Sequence, residues 1–496
     1  MSLRLYNTLT KQLEEIVPQN EETNEVTMYN CGPTVYSRQH IGNYRAFTEW
    51  DILHRTLEYL GYKVNRITNM TDVGHMSADE DFGDDKMEMA ASKEGKDPLE
   101  IADKVIITFL EDLKALNIKH PNGKKIEKAD LDPKRVKEFN WTRATEYVDQ
   151  MIEIIKKIEK NGYTYETDQA VYFDITKYPD YTKLSGQSLS EKEVGVRDEV
   201  NVDPEKKHPA DFVLWMKLYG KYENHIMRWE SPWGVGFPGW HIECTAMGWS
   251  ELGEHIDIHT GGMEHIGVHH TNEIAQNYGA LKHDMVRMWV HNAWLVGKKG
   301  AKMSKSEGKV YTIPELIELG YEPLDLRYYY LTVKYRKPLY FSLEGLDSAR
   351  SSRVSLAEKV YEHILFVPMP TISGMNEEMV IQEFKERFIE ALSNDLNVSE
   401  ALAVLNELLN SDNDPAAILA TVLDFDKVLG LDLVNGDLLA SSDMVEEAKS
   451  LLAERKIARE NEDYKESDRL REEIEKLGFK VKDTKDGQRL VRVLSN

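Results

Sequence analysis

Cysteine is scarce in this chain of 496 residues, and basic residues are outnumbered by acidic ones. Its two cysteines cannot form a disulfide framework, so the composition favours a reducing compartment, and we expect a cytoplasmic protein. With 62 Lys and Arg against 86 Asp and Glu, the net charge is -24. This charge argues against a protein that coats nucleic acid non-specifically, although local basic patches remain compatible with a nucleic-acid partner.

Long apolar runs are missing as well. No stretch stays apolar for the roughly 18 residues that a membrane helix needs. The first residues lack the apolar region and cleavage site of a signal peptide, so we expect no membrane partner. The hydrophobic fraction of 41% is enough for a real core. At roughly 100 to 200 residues per domain, the length predicts about three or four domains.

The N-terminal part has the hydrophobic pattern of a βαβ unit, the start of an α/β domain. A run of strand formers at 26–31 is broken by Gly32-Pro33. A helical period follows over 40–60, and 62–68 is typical of the next strand. Strand, turn, helix and strand in this order predict an α/β fold.

The rest of the chain divides into further blocks. Residues 98–160 carry a helical period, and 163–186 alternate between apolar and polar as a small β element does. Strand-like runs return at 212–215 and 256–258. From Ser342 the pattern is almost wholly helical up to Leu429, and the last residues predict a helix followed by two short strands.

A first motif, His40-Ile41-Gly42-Asn43, lies where the predicted turn opens the first helix. A helix N-terminus offers free N–H groups and the positive end of a dipole, which suit a phosphate. Gly42 would let a nucleotide approach the backbone closely. Taken alone, the string is far more typical of a polar turn before a core helix.

A second motif is Lys302-Met303-Ser304-Lys305-Ser306, which follows a Gly- and Lys-rich stretch. Two lysines three residues apart can meet a polyphosphate from one side, where their charge stabilises a transition state that gathers negative charge. The alternative is a solvated basic loop, which is the usual role of a lysine cluster.

A third group combines both cysteines with a histidine-rich segment. Cys244 closes the string Trp240-His241-Ile242-Glu243-Cys244, and His269 and Glu273 are spaced to project from one face of a helix. Together with Cys31 they supply two thiolates, one imidazole and one carboxylate, a set that suits tetrahedral zinc. Because the residues are distant in sequence, buried free cysteines remain the alternative.

The first two motifs, in this order and with an α/β domain between them, resemble the signature pair of class I aminoacyl-tRNA synthetases. Asn43 at the end of the first motif is similar to the cysteine-specific members of that family. The resemblance implies a zinc ion on Cys31, Cys244, His269 and Glu273. Zinc favours a thiolate over a serine hydroxyl, so it would select cysteine by bond chemistry.

The resemblance also implies a reaction in two steps. The carboxylate of L-cysteine attacks the α-phosphate of ATP to give cysteinyl-adenylate, and the cysteinyl group is then transferred to the 3' end of tRNA(Cys). Mg²⁺ is expected with ATP, and the protein is expected to act as a monomer. The implied roles are ATP binding for His40, Gly42, Asn43, Gly262 and Lys305, catalysis for His40, Asn43, Lys302, Ser304 and Lys305, and cysteine binding for Thr71 and Trp240.

The resemblance extends over nearly the whole chain and implies a domain for each block. The expected domains are a Rossmann-like catalytic domain at 1–115 and 210–300, a connective insertion at 116–209, a signature-loop and stem-contact segment at 301–341, an all-α tRNA-binding bundle at 342–435 and a small α+β anticodon-binding domain at 436–496. One departure lies near the C-terminus, where the family usually carries a tryptophan able to stack on an anticodon base and this chain has Leu490.

Three rival functions share part of this pattern. A ligase that joins cysteine to an amino sugar would share the zinc site and both motifs, but it should end soon after the helical bundle. A non-catalytic tRNA-binding paralogue would be free to lose Lys302, Lys305 or a zinc ligand, and all are present. A nucleotidyltransferase that uses only the first motif would need neither cysteine.

Overall fold

The computed structural model describes residues 2–20, 22–73, 84–187, 203–297, 310–367, 371–372, 374–434, 442–484 and 487–492. The chain forms two compact units. The N-terminal unit comprises Ser2–Ile313 and Tyr335–Tyr340, and the C-terminal unit comprises Pro314–Lys334 and Phe341–Asn496.

The strands of the N-terminal unit are β1 (Arg4–Asn7), β2 (Gln12–Glu15), β3 (Glu25–Asn30), β4 (Lys63–Met70), β5 (Trp141–Arg143), β6 (Thr164–Glu166), β7 (Ala170–Phe173), β8 (Phe212–Lys217), β9 (Gly236–Pro238), β10 (Ile256–Gly262), β11 (Val286–Asn292), β12 (Leu295–Val296) and β13 (Leu339–Tyr340). Its helices are α1 (Ile41–Tyr59), α2 (Lys86–Glu94), α3 (Pro98–Ala115), α4 (Val148–Lys160), α5 (Trp240–Leu252) and α6 (His269–Leu281).

The core of this unit is a five-stranded sheet in the order β11-β10-β3-β4-β5, in which every neighbouring pair is parallel. The chain first adds strands on one side of β3 and later places β10 and β11 on its other side. The strand order therefore reverses between β3 and β10. In open α/β sheets a crevice forms at such a point, beyond the carboxyl ends of the two strands.

A second sheet, β6-β7-β8-β9, is antiparallel and lies in the sequence between β5 and β10. Its inner face contributes Phe173 and Phe212, whose rings stack 5.0 Å apart, to a core shared with α4 and α5. The strands predicted at 212–215 and 256–258 are confirmed as β8 and β10.

The helical pattern predicted over 98–160 is wrong between α3 and α4. Residues 116–147 hold β5 and short 3-10 turns instead. Pro121, Gly123 with a φ of +82°, and Pro133 interrupt the helical period, while Ile126 and Phe139 are buried from loops. Strand β5 thus joins the central sheet from within 116–209, and the domain boundaries given above stay a prediction.

The helices of the C-terminal unit are α7 (Ile313–Glu318, which starts at the border between the units), α8 (Pro323–Leu331), α9 (Leu343–Ile364), α10 (Gln382–Ser393), α11 (Val398–Leu409), α12 (Pro415–Leu429), α13 (Ser442–Glu460) and α14 (Tyr464–Lys476). They are followed by an antiparallel hairpin of β14 (Phe479–Thr484) and β15 (Gly487–Arg492).

The fold class predicted from the sequence is confirmed. A parallel α/β domain is followed by a helical region and a small α+β module that ends in the predicted pair of strands. Among the residues that the structure describes, no helix combines the length and apolarity needed to cross a bilayer.

Candidate metal centre and nucleotide crevice

The four residues proposed as metal ligands meet beside the strand reversal. Cys31 directly follows β3, Cys244 lies in the first turns of α5, and His269 and Glu273 lie on the first turns of α6. One ligand atom of each lies within 4.8 Å of the others. Cys244, His269 and Glu273 are buried, while Cys31 is partly exposed. Residues distant in sequence thus converge because β3 and β10 are neighbours.

Several histidines contact these four residues. The Nε2 atom of His269 lies 3.1 Å from Oε1 of Glu273, as expected for positions i and i+4. Nε2 of His259 lies 2.8 Å from Oε2 of the same carboxylate. Nε2 of His270 lies 3.2 Å from Sγ of Cys31, and the Nδ1 atoms of His241 and His269 are 2.9 Å apart.

The electrostatics of the cluster show strong coupling between thiols, imidazoles and carboxylate. A hydrogen bond with Cys31 lowers the pKa of the Cys244 thiol to about 6, whereas burial raises the pKa of Cys31 well above its usual value. Burial opposes the charged form of His269, yet Glu273 and Cys244 raise its pKa to about 10. The carboxyl of Glu273 keeps a pKa well below its usual range, because His259 and His269 outweigh the effect of its burial.

A second set of donors overlaps the first. Cys31, His259, His270 and Glu273 also place one ligand atom each within 4.8 Å of one another. Sequence reasoning missed His259 and treated His270 as a neighbour. The signal for His259 was the alternation of β10, where Ile256 and Ile258 face away from Asp257 and His259.

The donor chemistry fits a metal ion. Buried thiols, imidazoles and a carboxylate are the groups that bind divalent metals preferring sulfur and nitrogen. The buried Oε1 of Glu273 accepts no hydrogen bond of good geometry from the residues described. Because a buried acceptor is normally satisfied, a cation bound among these groups would account for it. The four predicted residues thus form a cluster suited to metal binding.

The first motif forms the start of α1 at the carboxyl end of β3. His40 is the N-cap: its Nδ1 accepts a hydrogen bond from the Gly42 N–H at 3.1 Å, and Oδ1 of Asn43 accepts one from the His40 N–H at 3.1 Å. The two side chains form a capping box that fixes the helix entry. The positive end of the α1 dipole therefore lies at this motif.

The glycines that end β10 have no room for a side chain. A Cβ at Gly261 would lie 2.5 Å from Nδ1 of His265 and 2.6 Å from Cε1 of His270. A Cβ at Gly262 would lie 2.2 Å from Oε2 of Glu264, an atom that also accepts a hydrogen bond from Nε1 of Trp294 at 2.7 Å. The bare backbone there lets the side chains of His265, His270 and Glu264 approach the strand end closely.

Thr71 and Trp240 border the metal cluster. The Thr71 hydroxyl accepts a hydrogen bond from Nδ2 of Asn69 at 3.0 Å, and the buried Glu243 lies close to Thr71. The ring of Trp240 lies 4.3 Å from that of His269 and is only partly buried. Burial raises the pKa of Glu243, a carboxyl that the sequence analysis did not single out, well above its usual value.

The second motif, with Lys302, Ser304 and Lys305, lies outside the described residues. The chain is described again from residue 310, and the carbonyl oxygen of Tyr311 accepts a hydrogen bond from the Ile41 N–H at 2.9 Å. The segment that follows the motif therefore contacts the start of α1.

Comparison with known families and structures agrees with this architecture. Residues 17–351 match the family described as "tRNA synthetases class I (C) catalytic domain", and residues 441–490 match "Cysteinyl-tRNA ligase anticodon binding domain". A solved structure of Mycobacterium tuberculosis methionyl-tRNA synthetase with methionyl-adenylate has a similar fold, with a TM-score of 0.51 and 14% identity over 86% of this chain and 93% of that one. The fold and the matched domains define a class I aminoacyl-tRNA synthetase.

Comparison with curated relatives identifies the particular family within this class. A cysteine–tRNA ligase of Treponema denticola is 38% identical, covering 97% of this chain and 98% of the relative. Cysteine–tRNA ligase 1 of Burkholderia lata is 38% identical, covering 99% and 97%. The chain belongs to the cysteine–tRNA ligase family of ATP-using ligases.

Proposed function

We propose that this chain activates L-cysteine with ATP and transfers the cysteinyl group from cysteinyl-adenylate to the 3' end of tRNA(Cys). The observation that carries the proposal is the meeting of two thiols, an imidazole and a carboxylate beside a helix N-terminus at the strand reversal. The family relationship supports the same activity.

The cluster of Cys31, Cys244, His269 and Glu273 would hold one zinc ion, which supplies a bond to the substrate thiolate when it is bound. A thiolate is a far better zinc ligand than a hydroxyl, so serine is rejected by bond chemistry. Trp240, against His269, would form one wall of the cysteine pocket, and Thr71 another. Selection of this kind removes the need for an editing site.

The residues that would bind ATP in the crevice come from the first motif and from the end of β10. His40, Gly42 and Asn43 would meet the phosphates at the N-terminus of α1, and Gly262 would lie against the adenosine. Lys302, Ser304 and Lys305 would close over the phosphates, and the contact of Tyr311 with Ile41 supports their approach from that direction. Such groups act by positioning and by neutralising charge, together with Mg²⁺.

The remaining proposals concern the C-terminal module, the helical region and the insertion, and they are based on the family relationship. The C-terminal module would bind the anticodon, the helical region would contact the tRNA body, and 116–209 would form the connective insertion. We also propose that the protein works as a cytoplasmic monomer.

The activity is tested by ATP–pyrophosphate exchange with cysteine, with serine and without amino acid, followed by charging of tRNA(Cys). We expect exchange with cysteine alone and efficient charging. Exchange supported equally by serine would contradict selection by the metal. Exchange without charging would favour the amino-sugar ligase instead.

The metal contact has a readout independent of activity. In cobalt-substituted protein, cysteine should increase the thiolate-to-cobalt absorption because it adds a thiolate to those of the chain, and serine should leave the spectrum unchanged. A spectrum indifferent to cysteine in a protein that still catalyses exchange would place the substrate thiol away from the metal.

A further inference from the structure

We propose that Asn69 is a positioning residue for the cysteine pocket, whose side-chain amide holds the Thr71 hydroxyl so that this hydroxyl donates its proton to the bound cysteine. The inference rests on the proposed function, in which Thr71 forms one wall of the pocket. Asn69 itself would not touch the substrate. It would act through Thr71 and through Gly32, which directly follows Cys31 of the metal cluster.

Asn69 lies one residue before the end of β4 and is buried, with 2% of its surface exposed. Its Oδ1 accepts a hydrogen bond from the Gly32 N–H at 2.7 Å, and its Nδ2 donates one to Oγ1 of Thr71 at 3.0 Å. A backbone N–H can only donate, so the contact with Gly32 determines which end of the amide carries the oxygen. The amide nitrogen then necessarily faces Thr71.

The main chain around this amide is closely packed. The Thr71 N–H donates a hydrogen bond to the Pro33 carbonyl at 3.0 Å, and the Val35 N–H donates one to the Thr71 carbonyl at 3.0 Å. A Cβ at Gly32 would lie 1.6 Å from the carbonyl oxygen of Asn69, so the segments that follow β3 and precede Thr71 are in direct contact. The backbone of Thr71 is therefore fixed, and the freedom that remains to this residue is rotation of its side chain and of its hydroxyl.

The amide of Asn69 sets the direction of the hydrogen bond that Thr71 can offer. A hydroxyl has one proton to donate and two lone pairs that accept. Since Nδ2 of Asn69 donates, the Thr71 oxygen accepts there, and the hydroxyl proton is directed to a different acceptor. Bound cysteine has two anionic acceptors, its thiolate and its carboxylate, and hydrogen bonds to charged acceptors are the stronger ones. A hydroxyl held in advance as a donor would favour the binding of cysteine.

The competing explanation is that the Thr71 proton serves the protein alone. The buried Glu243 lies close to Thr71, and neither of its carboxyl oxygens accepts a hydrogen bond of good geometry from the residues described. If the hydroxyl proton is directed to this carboxyl in the working enzyme, Asn69 stabilises the fold without influencing the affinity for cysteine. The two explanations therefore differ in the KM for cysteine.

The test is Asn69→Asp, which preserves the shape of the side chain. One oxygen of the new carboxylate can still accept from the Gly32 N–H, but the other takes the proton of Thr71, so this hydroxyl changes from a donor into an acceptor. We expect the KM for cysteine in ATP–pyrophosphate exchange to rise roughly 10- to 100-fold. The KM for ATP and the zinc bound per chain should stay at their wild-type values, whereas a general loss of folded protein would change neither KM.

A double-mutant cycle tests whether Asn69 acts through Thr71. Thr71→Val removes the hydroxyl and should raise the KM for cysteine by a similar factor. In that background Asn69→Asp should have little further effect, because both substitutions remove the same donor. The control is Asn7→Asp: Asn7 is buried at 1% exposure and donates a hydrogen bond to the Arg287 carbonyl at 3.2 Å, but it lies at the end of β1. It should lower Tm and leave the KM for cysteine unchanged.

An unchanged KM for cysteine in folded Asn69→Asp protein would overturn the positioning role and leave the proposed function intact. The same holds if the two substitutions multiply their effects in the double variant. If Asn69→Asp does not fold, Asn69→Ala replaces it, because it leaves the Thr71 hydroxyl in place without its amide partner; a raised KM for cysteine supports the proposal and an unchanged one refutes it. Absence of cysteine-dependent exchange in the wild-type protein would instead refute the proposed function.

Discussion

Individual side chains in the crevice are held by contacts that leave little room for change. The side chains of His265 and His270 occupy the space that a Cβ at Gly261 would fill. His40 and Asn43 both cap α1, since the His40 side chain accepts a hydrogen bond from the Gly42 N–H and the Asn43 side chain accepts one from the His40 N–H. In the C-terminal module, the side chain of Tyr464 at the start of α14 is 64% exposed, whereas that of Leu490 is buried. These contrasts lead to two predictions about single residues.

Gly261→Ala should disturb the metal cluster. The new methyl group would lie 2.5 Å from His265 and 2.6 Å from His270, and His270 is fully buried, so the ring has to move. Overpacking of this kind costs roughly 1 to 3 kcal/mol and should lower metal affinity. Thermal unfolding and metal titration provide the measurement. Gly267→Ala is the matched control, because a Cβ there meets nothing within 4 Å; equal effects of both variants would refute the steric argument.

Tyr464→Ala should weaken tRNA binding without affecting cysteine activation. An exposed ring on an anticodon-binding module is suited to stack on an unpaired base, and Leu490, buried at 3% exposure, cannot take that role. Loss of stacking costs about 1 to 3 kcal/mol, which corresponds to a roughly 5- to 150-fold weaker Kd. Tyr464→Phe keeps the ring and should bind as wild type does. An unchanged Kd for Tyr464→Ala would show that the ring contacts no base.

At the scale of elements, the sequence predicted the helices and strands whose hydrophobic period is uninterrupted. Strand β3, helix α1 and strand β4 were predicted within a few residues, because each has a clear period bounded by Gly or Pro. The helical prediction was wrong over 116–147, because Pro121, Gly123 and Pro133 interrupt the helical period and strand β5 lies within this stretch. The four metal-cluster residues converge as the resemblance implied, but the periodicity of β10 alone did not reveal His259, since a buried histidine on a strand has no chemical signature until its partners are known.

Helix α1 also contains a titratable group that should make stability depend on pH. Burial lowers the pKa of His54 from 6.5 to about 4, and Arg66 adds to the shift. Below pH 6.5 the unfolded chain takes up a proton that the folded chain refuses, so stability is complete above that pH and is lost as the pH falls toward 4. Between pH 7 and pH 5 the loss from this group is about 2 kcal/mol.

Urea unfolding at both pH values measures that loss. His54→Gln removes the titration and should reduce the fall in unfolding free energy between pH 7 and pH 5 by about 2 kcal/mol relative to wild type. Any general acid effect appears equally in both proteins and cancels in the comparison. An identical fall in the two proteins would mean that His54 is not held neutral by its surroundings.

At the scale of the whole molecule, the described candidate site residues all belong to the N-terminal unit, whereas the anticodon-type module lies in the C-terminal unit. With the function proposed above, chemistry on cysteine and ATP and recognition of tRNA would be carried by separate parts of one chain. The module is not isolated within its own unit, because the rings of Phe479 in β14 and Tyr361 in α9 pack in a tilted arrangement with their centroids 5.8 Å apart.

A chain ending after Val434 should keep ATP–pyrophosphate exchange with cysteine and lose most tRNA charging. The truncation removes the module at 441–490 and leaves the metal cluster and α1 in place. A modest fall in Tm is expected because Tyr361, buried at 1% exposure, loses its partner. Exchange lost together with charging, in a truncated chain that remains folded, would contradict this separation of roles.

The reversal of strand order also determines how long β3 lacks its neighbour β10 while the chain is being synthesised. Strand β3 ends at residue 30 and its neighbour β10 begins at residue 256, so 225 residues lie between the two. At roughly 5 to 20 residues per second, a ribosome needs on the order of 10 to 45 seconds to supply the missing strand. Throughout that interval one edge of β3 has no partner strand, and the other residues of the metal cluster have not yet been brought to the thiol of Cys31. A chaperone and a reducing environment would protect the nascent chain during this time, whereas the finished protein needs neither.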